Sequence, residues 1–241
     1  MNFLDIIFPK VCKYCGKIGE YICDDCYNKF IKKYEYNYCK NGKFFIYKYD
    51  GELRELLLKY KFRDESYLRE FFANSITKNK KLYIFFNQYD IIVPVPLHRK
   101  RKLERGYNQT EEILKFAINN FNSNSKIKNI IQNNSQINTR TNNKNIRNDN
   151  IKFVPKIEYN SNILIKTKNI KPQSTKNEEE RKENIKNAFE IKNEQAKKVI
   201  KNKKILVFDD IYTTGSTFNE CKNVLMRSGA KSVGALMIAR D

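Results

Sequence analysis

The chain has 241 residues, 40% of them hydrophobic and 31% charged, with a mean hydropathy of -0.71; that is enough for one sizeable α/β domain and a small appended module. A formal net charge of +20 points to a basic surface that attracts nucleic acid, phosphorylated metabolites or an anionic membrane face, although a chain this rich in Lys, Asn and Ile also has a purely compositional reading. No apolar run reaches the roughly 18–20 residues of a membrane span, and Met1–Lys10 carries Asp5 and no basic leader, so a cytoplasmic protein is expected.

In chain order, residues up to about 40 place Cys12, Cys15, Cys23, Cys26 and Cys39 among short turns. Phe44–Tyr49 is aromatic and strand-like, and Asp50-Gly51 marks a turn. In Glu52–Phe62, residues Leu53, Leu56, Leu57 and Tyr60 recur at helical spacing, and Tyr67–Ile76 repeats the pattern with Leu68, Phe71 and Phe72 on one face. Asp90–Val95 is a short apolar run of the kind that forms a buried strand, and Tyr107–Ile118 reads as a helix. From Asn119 to Asn150 the chain is dominated by Asn, with too little apolar area to offset the entropy of ordering; a disordered insertion over about 119–162 is expected. Ile163–Ile165 and Ala188–Ile191 read as short strands, separated by the highly charged stretch Pro172–Asn187. Lys204–Phe208 is a buried strand, followed by Asp209-Asp210, a Gly-containing turn, a helix over Ser216–Arg227, a stop at Gly229 and a strand over Ser232–Ala239. That succession is a βαβ unit and implies a parallel sheet. The plan is a small module over 1–43 and an α/β domain over 44–241, interrupted by the insertion.

The segment Ile205-Leu-Val-Phe-Asp-Asp-Ile-Tyr-Thr-Thr-Gly-Ser-Thr217 carries the most chemistry. A buried strand delivers Asp209 and Asp210 to its carboxyl end, where open α/β sheets bind ligands, and both are expected on the rim of the same sheet. Backbone N–H groups at the following helix start point into the crevice; Gly215 permits close approach, and Thr213, Thr214, Ser216 and Thr217 add hydroxyl donors suited to a phosphate monoester. The carboxylates can accept from sugar hydroxyls and support a metal ion. A phosphate cradle beside two hydroxyl acceptors describes a ribose 5-phosphate site. The bland alternative is a strand-to-helix turn capped by Ser216.

A second constellation is Ile91-Ile-Val-Pro-Val-Pro-Leu-His98, followed by Arg99, Lys100, Arg101, Lys102 and Arg105-Gly-Tyr-Asn-Gln109. Pro94 and Pro96 cannot donate ladder hydrogen bonds, so the strand ends there, beside the end of the 205–208 strand. A rigid loop followed by cations makes a pyrophosphate clamp. His98 is the one histidine and carries little weight as an acid or base. In the N-terminal module, Cys12-x-x-Cys15 and Cys23-x-x-Cys26 have the spacing of a four-thiolate zinc site, with a redox pair as the alternative. Cys39 lacks a partner two residues away, and Cys221 reads as core packing.

These segments resemble known families. The 205–217 segment resembles the phosphoribosyl pyrophosphate motif of type I phosphoribosyltransferases, four apolar residues, two acidic ones and a Thr-Thr-Gly-x-Thr-like turn. The 91–109 stretch resembles the ComF family pattern Val-Pro-Val-Pro-Leu-x, basic residues, then Arg-Gly-Tyr/Phe-Asn-Gln. Lys171-Pro-Gln-Ser with Arg181, Asn184 and Ala188-Phe189 is similar to a third ComF pattern, although Ile170 stands where Thr is usual, Lys176 where Leu is usual, and Lys166 and Lys168 replace arginines. The resemblance implies a type I phosphoribosyltransferase fold, a mostly parallel sheet flanked by helices with a flap over 173–184, plus a four-cysteine zinc ribbon. It implies that Asp209 and Asp210 hold the ribose 2′- and 3′-hydroxyls, that Thr213, Thr214, Gly215, Ser216 and Thr217 bind the 5-phosphate, and that Pro94, Val95 and Pro96 touch pyrophosphate. Arg105, Gln173 and Arg181 are further candidates for substrate contact. The implied ligands are phosphoribosyl pyrophosphate with Mg2+, and structural Zn2+ at Cys12, Cys15, Cys23 and Cys26. The implied role is support of DNA uptake in natural transformation, with single-stranded DNA and DNA-uptake proteins at the inner membrane face as partners. A non-catalytic single-strand DNA-binding module that retains the fold is the alternative.

Overall fold

A computed structural model describes residues 9–63, 65–135, 156–170 and 183–241, with only the helical backbone at 123–135. A knuckle over residues 9–23 leads into α1 (Asp24–Tyr34), then the antiparallel hairpin β1 (Glu35–Lys40) and β2 (Lys43–Lys48). Three helices follow, α2 (Gly51–Phe62), α3 (Leu68–Thr77) and α4 (Lys80–Phe86), before β3 (Ile91–Pro94), α5 (Arg99–Arg105) and α6 (Gln109–Ser135). The remainder contributes β4 (Glu158–Tyr159), β5 (Leu164–Lys166), β6 (Phe189–Ile191), α7 (Glu194–Ile200), β7 (Lys204–Tyr212), α8 (Ser216–Arg227) and β8 (Ser232–Arg240).

Six strands form the main sheet in the order β1-β2-β8-β7-β3-β4, parallel throughout except for the β1–β2 hairpin; β5 and β6 pair separately. Ile205–Phe208 of β7 are buried because both faces of the sheet are covered. On one face Leu206, Phe208, Ile92 and Leu236 pack against α2, α3, α4 and α6; on the other Ile205, Val207, Val93 and Met237 pack against α7, α8 and the β5–β6 pair. Each such side chain contributes roughly 1.5–3 kcal/mol by leaving water. The chain runs from β3 outward to β4 in one direction and from β7 outward to β8 in the other, so the β3–β7 junction is a topological switch point, the place where open α/β sheets form a ligand crevice.

Four expectations change. Residues 24–34, expected among turns, form α1. The hairpin crosses residue 43, and β2 pairs in parallel with β8, so residues 35–40 extend the main sheet. The helix expected to end at Ile118 runs to Ser135, with Phe121 buried against Phe86 and Tyr83, and Glu158–Tyr159 pairs with β3; both ends of the Asn-rich stretch are therefore structured, while 136–155 lie outside the described residues. Finally, β7 continues through both aspartates to Tyr212, because β8 keeps pairing with it as far as Tyr212↔Arg240. Among the described residues, no helix is long and apolar enough to cross a membrane.

Candidate functional site

Strand β3 stops at Pro94, paired with Phe208, and the Val95 N–H still reaches the Phe208 carbonyl at 2.9 Å. Beyond that point the β3-side edge of β7 has no paired strand among the described residues. The opening is a cavity of about 390 Å³ whose wall includes Lys61, Val95, Pro96, Arg105, Asp209 and Thr217.

Asp209 and Asp210 both line this cavity, but from opposite faces of β7. Asp210, buried, meets Lys61 of α2 at 2.8 Å. Asp209 lies on the other face, within the field of Lys166 and Cys221. The two carboxylates, expected together on the rim of the sheet, reach that rim from its two faces. Adjacent strand residues alternate, and the two meet in one cavity only because β3 is shorter than β7. Burial, then the neighbouring Asp210, pushes the Asp209 carboxyl up to about 7, against the pull of Lys61, its hydrogen bond from the Asp210 N–H and Lys166. Burial in turn lowers Lys166.

The turn after β7 places Thr213 and Thr217 on the cavity wall; Thr214, Gly215 and Ser216 form the bend behind it. Gly215, at φ +76, is the N-cap of α8 and has no side chain to close it, so Ser216 is not the cap. The Thr214 hydroxyl oxygen accepts from the Ser216 N–H at 3.3 Å and lies 2.7 Å from the Ser216 hydroxyl. Later N–H groups of the first turn of α8 lack intrahelical partners.

Val95 and Pro96 line the cavity, whereas Pro94 is buried in the strand. The Val95 carbonyl accepts from Asn108 Nδ2 at 3.1 Å and from the Thr110 hydroxyl at 2.8 Å, so the Asn108–Thr110 turn clamps the Pro-Val-Pro loop. His98 caps α5, its Nδ1 accepting from the Lys100 N–H at 3.2 Å, and it reaches the cavity wall. Arg101 and Arg105 of α5 face the cavity, with the Arg105 guanidinium 4.9 Å from the centre of the exposed Phe62 ring. Gln109 also lines the cavity; its Nε2 is buried and has no hydrogen-bond partner among the described residues. Lys61 and Thr110 join the site without being singled out in the sequence, and Asn108, part of the Arg105–Gln109 stretch, joins it by holding the Val95 carbonyl. Nothing local distinguishes Lys61 and Thr110, since each acts through a partner distant in the chain, Asp210 and Val95 respectively. Gln173 and Arg181 lie outside the described residues, as does most of the 173–184 flap.

At the N-terminal end, the Cys12, Cys15, Cys23 and Cys26 sulfurs lie within 4.8 Å of one another, Cys15 and Cys23 at 3.6 Å. A tetrahedral ion with sulfur bonds of about 2.3 Å needs sulfurs about 3.8 Å apart, so the four thiols can hold a metal such as zinc. Gly16 at φ +76 and the Cys12 N–H to Lys17 carbonyl bond of 2.8 Å fold the knuckle. Burial raises Cys12, yet the N–H groups of Cys23, Tyr14 and Cys15 outweigh it and bring the thiol down to about 6. Cys39, exposed on β1, stands apart from the cluster, and Cys221 is fully buried in the core.

No protein-family model matches the chain. Three curated proteins align with most of it. The competence protein ComFC of Streptococcus pneumoniae is 27% identical over 93% of this chain and 83% of its own length. Competence protein F of Haemophilus influenzae is 24% identical over 97% and 85%, and ComFC of Bacillus subtilis 24% identical over 81% and 63%.

Proposed function

We propose that this chain, which its motifs and its length-wide similarity to three competence proteins put in the ComF family, binds phosphoribosyl pyrophosphate on a phosphoribosyltransferase-type fold and supports DNA uptake from the cytoplasm. The observation that carries the reading is the cavity at the open edge of β7. It joins two carboxylates, a hydroxyl-bearing helix start, and the cations Lys61, Arg101, Arg105 and Lys166 in one wall. Asp209 and Asp210 accept from the ribose hydroxyls. Thr213, Thr217 and the first N–H groups of α8 take the 5-phosphate. The pyrophosphate then lies toward Val95, Pro96, Arg101 and Arg105, where the orphaned Gln109 amide has a partner to gain.

A divalent cation fits this site. The raised Asp209 carboxyl reports two acidic groups that repel one another in a poorly solvated place. Mg2+ carried in with the ligand would be held beside Asp209 and Asp210, and it supplies neutralisation of pyrophosphate charge. Structural Zn2+ fits the four cysteines. Phosphoribosyl transfer needs stabilisation of a departing pyrophosphate, and Arg101 and Arg105 on the cavity wall support that role. Gln173 and Arg181 are retained as proposed flap contacts.

Calorimetric titration with phosphoribosyl pyrophosphate and Mg2+ tests the reading. Binding heat is expected for the wild type and none for Asp209→Ala/Asp210→Ala; equal heats would exclude the pocket. DNA handling is the accompanying activity, favoured by the exposed cations of α5 and the +20 charge. Affinity for single-stranded DNA should fall steeply as salt rises.

A further inference from the structure

A row of aromatic rings crosses the sheet away from the cavity wall. Tyr36 and Tyr38 of β1 stack with centroids 5.3 Å apart and planes at 24°, Tyr38 lies 6.2 Å from Phe45 of β2, also at 24°, and Phe45 meets Tyr212 of β7 edge-on at 5.2 Å. Two cations are set among these rings. The Arg240 guanidinium is 5.4 Å from the Tyr38 centroid and 5.2 Å from that of Phe45; Lys43 Nζ is 5.2 Å from the Tyr212 centroid and donates to its phenol oxygen at 3.1 Å. Among the described residues neither cation is paired with a carboxylate.

Burial changes along the row. Phe45 is 2% exposed and belongs to the core, Tyr38 and Arg240 are half-buried, and Tyr36 is 43% exposed at the outer strand of the sheet. The pairing of β1 with β2 shifts register between Glu35 and Tyr38, where Asn37 takes φ +43; such bulges re-aim side chains. The row therefore runs out to the open ring of Tyr36, with Arg240 over the next two rings, Tyr38 and Phe45, and Lys43 at the inner end beside Tyr212. An exposed aromatic face takes a base only if that base is unpaired, and free cations beside it take phosphates.

We propose, resting on the DNA-handling part of the function above, that this face binds a single-stranded nucleic acid, with an unpaired base extending the Tyr38–Tyr36 stack and neighbouring phosphates meeting Arg240 and Lys43. The contacts are to ring faces and phosphates, so recognition tolerates any sequence. The inner end of the row is shared with the candidate site: the Tyr212 ring lies where a side chain on Gly215 would fall.

Fluorescence anisotropy with a labelled oligothymidylate of about 20 nucleotides tests this. Tyr36→Ala is expected to weaken binding at least about fivefold, while Tyr36→Phe leaves it unchanged. Arg240→Gln should reduce the slope of log affinity against log salt by about 0.7, the loss of one single-strand phosphate contact. A duplex should bind more weakly than the single strand. Thermal unfolding and phosphoribosyl pyrophosphate binding, both unchanged, establish that the variants fold. Wild-type affinity in both Tyr36→Ala and Arg240→Gln would overturn this face and leave DNA handling to α5. Failure of the wild type to bind would overturn both. A duplex bound as tightly as the single strand would remove base stacking. A dimer that Tyr36→Ala disrupts without changing DNA affinity would assign the β1 edge to a second copy of the chain instead.

Discussion

Asp209 sits half-buried on β7, beside Asp210 and a backbone that keeps water away, and its proton is held up to about 7 by that burial first and by the neighbouring carboxylate second. An unfolded Asp releases its proton near about 3.9. Between about pH 4 and pH 7 the folded chain therefore holds a proton that the unfolded chain has lost, and stability falls as pH rises through that window. Asp209→Asn removes the ionisation. It should melt above the wild type at about pH 8, with the gap narrowing toward about pH 5; a gap that widens on acidification would contradict burial as the cause. The same residue scale governs Gly215. Its φ of +76 is left-handed, and an added Cβ would fall on the Tyr212 ring. Gly215→Ala should cost about 1–3 kcal/mol in a urea titration, and a double-mutant cycle with Tyr212→Ala should isolate the steric share by recovering part of the loss.

At the scale of elements, the knuckle brings together four thiols that can hold a metal. The four clustered thiols should bind one zinc per chain, measurable by atomic absorption on the purified protein. Cys23→Ser should abolish it, and Cys39→Ser should leave it intact because Cys39 lies out on β1. The sheet should survive chelation, since α1 is held independently by Tyr27 and Phe30 packed on Phe71. That helix is legible in the residues: Asp24 and Asp25 open it, Lys32 and Lys33 close it, and Tyr27, Phe30, Ile31 and Tyr34 recur at helical spacing, but the cysteine spacing alone favours turns. Strands β3 and β8 and helices α2, α3 and α8 are readable because burial on one or both faces writes a period into the residues. The continuation of β7 through Asp209 and Asp210 is not, because carboxylates are depleted in strands and only pairing with Met237–Arg240 holds them extended. For the same reason the motif puts both aspartates at the strand's carboxyl end without saying that they leave β7 on opposite faces. Lys61, which meets Asp210 at 2.8 Å, is out of reach of any local pattern, being 149 positions away along the chain from its partner (210 − 61).

Across the whole molecule, the cavity is where two distant stretches meet: the β3 loop with α5 and the start of α6, and β7 with the start of α8. A ligand that touches both stretches stabilises their union, and it can do so only in the folded chain. At a ligand concentration about 100 times Kd the gain is about 2.7 kcal/mol, and for a chain of this size each kcal/mol moves the midpoint by about 2–4 °C. Phosphoribosyl pyrophosphate with Mg2+ should therefore raise Tm by about 5–11 °C in the wild type. Arg105→Ala, which removes one cation from the pyrophosphate side and nothing from the sugar side, should reduce that rise without abolishing it, whereas Asp209→Ala/Asp210→Ala should abolish it. Ribose 5-phosphate, which lacks the pyrophosphate, should stabilise the wild type less than the full ligand and be indifferent to Arg105→Ala. If ribose 5-phosphate lost its effect in Arg105→Ala, the cation would belong to the phosphate end, and the ligand would have to lie in the cavity with its two ends exchanged.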